Sequence, residues 1–359
     1  MRGGAENQLL VLAKQQIKSG RQVHIVYLKG DAELAPEFMA AGVIIHYEFA
    51  NISPLVQLVR IKKFLTLNHL VGCVIHAHLP RAQIIAFLGM NQSQKLICSR
   101  HDEDQFYPGA RSKISKALFK CVDFRVKYWI AISEAVKEKM ISYDEVPRNA
   151  DIQVVLYGYG NQAANSARGQ VDELRLSYKI NSNSFVIGCV ARLVWQKNHE
   201  TLLRAFALFQ NNYPETKLLL VGDGPRRAHL ESLANSILIE NSVIFAGKVN
   251  AVKDHLSLMN VFVLPSTTEG FGLVLLEAME AGIPLISSDA SALAEVIGNA
   301  GLLFQVGQHT DLADKLEIML DPDVQSRYSK LGHLRLGQFN PEIMWTKISD
   351  IYEKAAMLK

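Results

Sequence analysis

The sequence predicts an α/β protein, because apolar runs of strand length alternate with helix-like periodic segments along the whole chain. The chain has 359 residues, of which 49% are hydrophobic and 20% are charged. This length exceeds one typical core and fits two domains of roughly 150 to 200 residues. Since strands and helices that alternate in this way form parallel sheets covered on both faces, we expect two Rossmann-like halves.

Each half contains a series of short apolar runs that are predicted strands. In the first half they are residues 23–27, 43–46, 73–76, 95–98, 129–132 and 152–155. In the second half they are residues 185–190, 217–221, 243–245, 261–264 and 284–287. The segment between the halves, residues 157–169, is rich in Gly, Asn, Ala and Ser, which indicates a linker. We therefore expect an N-terminal domain over residues 1–160 and a C-terminal domain over residues 170–340.

Composition and charge argue against several classes of protein. The net charge of +3 is too small to indicate a nucleic-acid partner. No segment approaches the roughly 20 uninterrupted apolar residues of a membrane-spanning helix, and residues 1–4 have none of the regions of a signal peptide. A cytoplasmic protein is the simplest interpretation, because no C-x-x-C pair occurs among the scattered cysteines Cys73, Cys98, Cys121 and Cys189.

A motif of carboxylates and glycines follows the strand predicted at residues 261–264. Glu269-Gly270-Phe271-Gly272 forms a turn, and Glu277 lies in the apolar run that comes next. A helix starting after the glycines would aim its N–H groups and the positive end of its dipole at an anionic ligand. An unpaired Glu277 inside this helix would be costly, and a ribose with two vicinal hydroxyls would satisfy it. The alternative is an ordinary strand-turn-helix with a salt-bridged glutamate.

Residues 265–284, which include this motif, closely resemble the signature of the retaining glycosyltransferases of the GT-B fold, in the large family-four group. The resemblance implies two Rossmann-like domains facing across a cleft, with the acceptor mostly on the first and the nucleotide sugar mostly on the second. It also implies that Glu269 orients the transferred sugar and that Glu277 holds the ribose. The residues of this segment that it places against the nucleotide sugar are Gly270, Phe271, Gly272, Leu273 and Glu277.

Two cations follow the strand predicted at residues 185–190. Arg192 can bind two phosphate oxygens at once and Lys197 adds a point charge, at the edge where open α/β sheets bind ligands. The resemblance implies that they hold the diphosphate and stabilise it as a leaving group without a compulsory metal. No confident nucleophile is visible between these residues and the glutamates. The resemblance implies a front-face substitution in which the departing phosphate accepts the proton of the acceptor. An unrelated surface Arg and Lys is the alternative.

Glycine turns mark further parts of the predicted pocket. The resemblance makes Gly222, Gly247 and Val249 walls of the nucleotide site, where backbone groups would meet the base. In the first half, Gly3 and Gly4 would let the backbone approach phosphate or sugar at a helix N-terminus. A bare Gly-Gly pair is weak evidence by itself.

Histidines and acidic pairs of the first half have several interpretations. His101 follows the strand at residues 95–98, where the family commonly places a histidine near the transferred sugar, although a structural histidine is the alternative. His76 and His78 would share one strand face, but no third metal ligand is apparent. Residues 102–104 and 321–323 both fit the D-x-D pattern that binds a divalent cation in the other glycosyltransferase fold. Two such matches show how weak that pattern is, so we expect no metal and no other cofactor.

Basic and apolar residues are interleaved over residues 111–129. A basic amphipathic helix of this kind lies on anionic membrane surfaces, which would suit a lipid-linked acceptor. A solvated helix face over a core fits the same pattern. The cations of the segment are Arg111, Lys113, Lys116, Lys120, Arg125 and Lys127.

The two ends of the chain carry separate expectations. Residues 1–6 resemble the glycine loop that follows the first strand in this family, so the first strand of the N-terminal domain is expected to be missing. A sheet without a central strand has unpaired edges. If the family fold holds, a C-terminal helix at about residues 341–359 packs back on the first domain.

Together these features predict a retaining, metal-independent hexosyltransferase. It would move a sugar from a nucleotide-diphosphate sugar to a glycan or lipid-linked acceptor in cell-envelope polysaccharide synthesis, in the cytoplasm or peripherally on the inner face of the membrane. A sugar-nucleotide epimerase or a phosphorylase of the same fold is one alternative, although each would need catalytic groups that the sequence does not display. A non-catalytic nucleotide-sugar-binding protein is the other.

Overall fold

The computed structural model describes residues 4–30, 33–67, 70–107, 112–146, 151–160 and 168–357. The chain divides into two compact units. Unit 1 comprises Met1–Gly160 and Phe339–Lys359, and unit 2 comprises Asn161–Gln338. Strands pair in parallel within every sheet of the described residues, which confirms the predicted α/β class.

Unit 1 begins with a helix and contains two separate sheets. Its first helices are α1 (Gly4–Lys18), α2 (Ala35–Ala40), α3 (Pro54–Phe64), α4 (Pro80–Gly89), α5 (Ser112–Asp123) and α6 (Glu134–Ser142). Its strands are β1 (His24–Val26), β2 (Ile44–His46), β3 (Val74–His78), β4 (Lys95–Arg100), β5 (Val126–Ala131) and β6 (Ile152–Val154). Strands β1 and β2 form one sheet and β3-β4-β5-β6 the other. In the described part of unit 1 no strand joins these two sheets.

Unit 2 is built around one six-stranded sheet in the order β12-β11-β10-β7-β8-β9. The strands are β7 (Val186–Val190), β8 (Lys217–Val221), β9 (Val243–Gly247), β10 (Val261–Leu264), β11 (Leu285–Ser288) and β12 (Gly301–Phe304). The helices are α7 (Arg168–Ser177), α8 (His199–Asn212), α9 (Arg227–Ser236), α10 (Val252–Leu256), α11 (Leu273–Glu280), α12 (Ser291–Ile297), α13 (His309–Ile318) and α14 (Pro322–Leu336). The strand order reverses between β7 and β10, and open α/β sheets bind ligands at the carboxyl ends of such a pair.

The last helix, α15 (Pro341–Met357), belongs to unit 1 and packs against α1 and against β3, β4 and β5. At its start, a Cβ on Gly158 would lie 2.7 Å from Pro341 Cα, so glycine allows the two segments to approach closely. The core that α15 closes contains Leu12, Ile97, Ile130, Val155, Met344, Ile348, Ile351, Tyr352 and Ala355.

The basic segment at residues 111–129 is not one helix, so the predicted extent of that helix is wrong. Helix α5 ends at Asp123, and β5 begins at Val126 because the following residues pair with β4 and bury Trp129. The exposed face of the helical part keeps Lys113 and Lys120, followed by Phe124, which is 87% exposed. Arg111 lies outside the described residues, as does most of the linker predicted at residues 157–169.

None of the helices within the described ranges is both long enough and apolar enough to cross a membrane.

Candidate functional site

The carboxyl ends of β7 and β10 bring together the predicted site residues of unit 2. Lys197 Nζ contacts Glu269 Oε2, and the two side chains are only 18% and 17% exposed. Ser266 Oγ donates to the same carboxylate oxygen at 3.5 Å. Arg192 is exposed, and no acidic side chain in the described part of the chain forms an ion pair with it. An anionic ligand here would therefore meet one uncommitted guanidinium and one lysine whose charge is shared with Glu269.

Hydrogen bonds hold the two strand-end loops together. The Gln196 carbonyl accepts from Thr267 N at 2.8 Å and from Thr267 Oγ1 at 3.2 Å. Gln196 Nε2 donates to the carbonyl of Thr268 at 2.9 Å. Because these bonds flank Lys197 and Glu269 in sequence, they fix the positions from which the ion pair is made.

The glycine turn before α11 presents main chain to the edge of the sheet. Gly272 caps the helix with φ of 83°, and a Cβ there would lie 2.6 Å from Leu293 Cδ2. Glycine is therefore required both by conformation and by space. The Phe271 ring is buried in the interior. Ligand binding by the backbone of Gly270, Phe271, Gly272 and Leu273 stays a prediction from the resemblance.

Glu277 lies on α11 in surroundings that favour its protonated form. Burial raises the pKa of the Glu277 carboxyl to about 7; the Glu280 carboxylate adds to the rise, and Lys253 opposes it. Lys253 Nζ is itself paired with Glu280 Oε2 at 3.1 Å. A ligand that brought hydroxyl donors to Glu277 would stabilise the carboxylate and lower this pKa.

The predicted pocket walls lie at the ends of β8 and β9. Gly222 N donates to the carbonyl of Gly247 at 2.8 Å. Gly247 has φ of +72°, and a Cβ there would lie 3.3 Å from Arg227 Nη1. Val249 follows as a half-buried residue. These contacts join the two loops. Base binding by Gly222, Gly247 and Val249 stays a prediction.

In unit 1, His101 is engaged at both ring nitrogens. Its Nδ1 contacts the hydroxyl of Tyr157, and its Nε2 lies 2.8 Å from His78 Nδ1. Burial, followed by the neighbouring His78, lowers the pKa of His101 well below its usual value. His101 is therefore held as a neutral imidazole inside a chain of three side chains. Sequence reasoning missed Tyr157 and weighed His78 only as a metal ligand, because these contacts join strand ends far apart in sequence.

The other strand-end groups of unit 1 have structural partners. His76 Nδ1 lies 2.7 Å from the Tyr352 hydroxyl and its Nε2 lies 2.7 Å from Ser99 Oγ, so both nitrogens are used. His78 and Gln8 line a small cavity shared with this network, and each has one buried polar atom without a partner, His78 Nε2 and Gln8 Oε1.

The two D-x-D matches differ in structure. Asp321 caps α14, with its carboxylate accepting from Asp323 N at 2.8 Å, so this match is a helix start. In the other match Asp102 Oδ1 lies 3.5 Å from Arg100 Nε, and Arg100 also binds Glu145 at 3.1 Å.

The N-terminal glycines are only partly described. Gly4 is the first residue of α1, and the predicted site residue Gly3 lies outside the described residues.

The two α/β units and the position of Arg192 and Lys197 at the strand-order switch of unit 2 agree with the architecture expected from the sequence. Residues 170–333 match the family model described as Glycosyl transferases group 1. Residues 2–159 match the family model described as Glycosyltransferase Family 4. The two matches together span most of the chain. The chain belongs to the family-four glycosyltransferases, and its C-terminal half is the group 1 domain.

Curated relatives agree with this assignment. The chain is 28% identical over 290 residues to N-acetyl-alpha-D-glucosaminyl L-malate synthase of Bacillus anthracis, covering 78% of this chain and 74% of the relative. It is 26% identical over 232 residues to the capsular polysaccharide biosynthesis glycosyltransferase CapM of Staphylococcus aureus, covering 62% of this chain and 60% of the relative. The second alignment thus spans less than two thirds of that relative's length.

A solved structure shows the same fold. Anabaena HepE, in complex with UDP-glucose, superimposes with a TM-score of 0.81 at 20% identity, covering 99% of this chain and 97% of HepE. At this identity the likeness concerns the fold, which is that of GT-B glycosyltransferases.

Proposed function

We propose that this glycosyltransferase is retaining and metal-independent, and that it moves a hexose-type sugar from a nucleotide-diphosphate sugar to a glycan or lipid-linked acceptor. The Lys197–Glu269 ion pair, fixed between the ends of β7 and β10, carries the proposal. It joins a cation suited to a diphosphate with a carboxylate suited to sugar hydroxyls. HepE, which shares the fold, was solved with UDP-glucose, and this supports a nucleotide-sugar donor.

Each charged group has a proposed part in the reaction. Arg192 and Lys197 bind the diphosphate and stabilise the negative charge that develops as the glycosidic bond breaks. Glu277 holds the ribose, and Glu269 orients the sugar. Two cations supply the charge that a divalent metal supplies elsewhere, so no metal or cofactor is proposed. The departing phosphate oxygen accepts the proton of the acceptor hydroxyl as that hydroxyl attacks from the same face, which retains the anomeric configuration.

The biological setting proposed is cell-envelope polysaccharide synthesis. One relative is named for capsular polysaccharide biosynthesis and another for lipopolysaccharide core biosynthesis. We place the enzyme in the cytoplasm, peripherally on the inner face of the membrane, through the exposed face of α5. Lys113 and Lys120 on that face, with Phe124 directly after the helix, would bind vesicles of phosphatidylglycerol in preference to phosphatidylcholine. Co-sedimentation that is equal for both lipids, or unchanged in Lys120→Glu, would contradict this placement.

The proposed use of a nucleotide-sugar donor is tested by measuring the binding and hydrolysis of UDP-, GDP- and ADP-sugars. We expect turnover that is selective for one nucleotide and that is lost in both Glu269→Ala and Arg192→Ala. The product anomer, followed by proton NMR, should match that of the donor, and a chelator should leave the rate unchanged. Tight binding of every donor without turnover would favour a non-catalytic binding protein instead.

A further inference from the structure

Unit 2 contains a group of four side chains that the proposed donor site does not use. We call it the Trp195 stack, and its members are Trp195, Arg226, Glu200 and His229. The indole of Trp195 is 72% exposed. The guanidinium carbon of Arg226 lies 3.2 Å from the centroid of the indole, so this cation covers one face of the ring.

An ion pair and a hydrogen bond to Glu200 hold the Trp195 stack in place. Arg226 is a buried guanidinium that is paired with Glu200. The same Glu200 oxygen lies 2.8 Å from His229 Nε2. The pKa of the Glu200 carboxyl is lowered, mainly because Arg226 donates a hydrogen bond to the carboxylate. Because a buried cation is costly unless it is paired, this arrangement keeps Arg226 in place, and Arg226 in turn keeps the indole from rotating freely.

The backbone around Trp195 is also fixed. Trp195 begins a single turn of 3₁₀ helix that ends at Lys197, and Gln196 between them is bonded to the turn before Glu269. On the other side, Arg226 N donates to the carbonyl of Leu193 at 3.1 Å. The open face of the indole is thus presented from a rigid loop, two residues from a cation of the donor site.

We infer that the open face of Trp195 is a stacking platform for a pyranose ring of the glycan acceptor. The inference rests on the proposed function. A flat, uncharged aromatic face attracts the partly positive C–H edge of a sugar ring, while a diphosphate would go to Arg192 and Lys197. The predicted base wall runs from Gly222 at the end of β8 to Gly247 and Val249 at the end of β9, and β9 lies two strand spacings, or about 9–10 Å, from β7. The position of Trp195 after β7 therefore favours a sugar over a nucleobase.

Tryptophan fluorescence tests the platform without any turnover. Trp129 and Trp345 are less exposed than Trp195, so acrylamide quenches Trp195 first. Methyl α-D-glucopyranoside should protect the emission from quenching, whereas sorbitol, which has hydroxyls but no ring, and uridine should not. The protection should vanish in Trp195→Phe. Absence of protection by the pyranoside, or equal protection by uridine, would overturn the inference.

Ligand-observed NMR gives the affinity. Methyl α-D-glucopyranoside should bind about tenfold more weakly to Trp195→Ala, with partial recovery in Trp195→Tyr. Leu238→Ala, which removes an even more exposed apolar side chain of unit 2, is the control and should bind as the unaltered chain does. Neither readout needs a donor, so the two proposals can fail separately. If the chain binds the pyranoside through Trp195 but hydrolyses no nucleotide sugar, the proposed function is refuted and the platform is not. Pyranoside affinity unchanged in both Trp195 variants refutes the platform alone.

Discussion

Lys197 and Glu269 each lose a partner when the other is removed, and this makes their substitutions informative. In Lys197→Met the diphosphate loses a cation and Glu269 keeps an uncompensated, largely buried charge. We expect the rate of donor cleavage to fall by about 10²–10³, the cost of removing one preorganised donor from a developing charge. Steady-state kinetics would measure this. Lys315→Met, which breaks an ordinary helix pair with Asp311, is the control, and an equal loss there would contradict the assignment.

Glu277 should make nucleotide-sugar binding depend on pH. With a pKa of about 7 in the free protein, the carboxyl is protonated below neutrality. If the carboxylate accepts both ribose hydroxyls, binding must release that proton, so affinity should fall as the pH is lowered below about 7, by up to about tenfold per pH unit. Isothermal titration with UDP-glucose checks this, because its diphosphate has no free terminal phosphate that titrates near pH 6.

The same titration has a matched variant. Glu277→Gln removes the titrating group and should give a weaker affinity that is flat across this pH range. Affinity that rises on acidification in the unaltered chain would mean that Glu277 acts as a protonated donor and does not accept from the ribose.

Single residues were predictable from the sequence where a contiguous motif contained them. The strand, glycine turn and helix around Glu269 are contiguous, so their chemistry was visible in order. The partners of His101 and the Trp195 stack were not, because Tyr157 and Arg226 reach them across strand ends that only the folded sheet brings together. Exposure and pairing depend on tertiary contacts, and no spacing rule encodes them.

Among the elements, the crossing of two loops at the end of β7 and β8 is the most restrictive. A Cβ on Gly224 would lie 2.5 Å from the carbonyl oxygen of Leu193, and neither backbone can move aside cheaply. Gly224→Ala should therefore separate the loops, destabilise unit 2 by about 1–3 kcal/mol and weaken donor binding. Denaturant unfolding and donor titration would show it. Gly337→Ala, where a Cβ meets nothing within 4 Å, should have little effect on either.

Element prediction succeeded where apolar runs were buried and bounded by turn residues. The runs at Lys217–Val221 and Val261–Leu264 are strands with the predicted limits. Strand β12 (Gly301–Phe304) was missed, because a short edge strand whose residues are mostly half-buried carries a weak pattern. The helix at residues 111–129 was drawn too long, since basic residues continue across the end of α5 into β5 and mask the change from helical to strand periodicity.

At the scale of the whole molecule, unit 1 combines residues from both ends of the chain, and its buried histidines should make it sensitive to acid. Burial lowers the pKa of His78 to about 4 and the pKa values of His76 and His101 well below 6.5. The unfolded chain takes up protons at these side chains near pH 6.5, while the folded unit does not. Stability is therefore lost as pH falls below about 6.5, by up to about 1.4 kcal/mol per pH unit for each histidine.

Other groups set the limits of this effect. In unit 1, burial raises the pKa values of Asp102 and Glu145, and these carboxyls act in the opposite sense because the folded unit takes up their protons before the unfolded chain does. In unit 2, burial lowers the pKa of His199 to about 4, so this side chain also destabilises the folded unit as the pH falls. Glu277 has the opposite effect on stability, because the folded unit takes up a proton at this carboxyl below about pH 7. The two contributions of unit 2 offset each other, so unit 1 should respond more strongly between pH 6.5 and 5.

Tryptophan placement allows the units to be followed separately. In Trp195→Phe the remaining tryptophans, Trp129 and Trp345, both belong to unit 1, so emission during urea unfolding reports that unit alone. Its midpoint should fall steeply from pH 7 to pH 5. His78→Asn, whose amide can replace the Nδ1 contact to His101 without a titrating ring, should flatten the slope. A midpoint that is independent of pH in this range would mean that the three imidazoles are protonated in the folded unit and that the histidine network is charged.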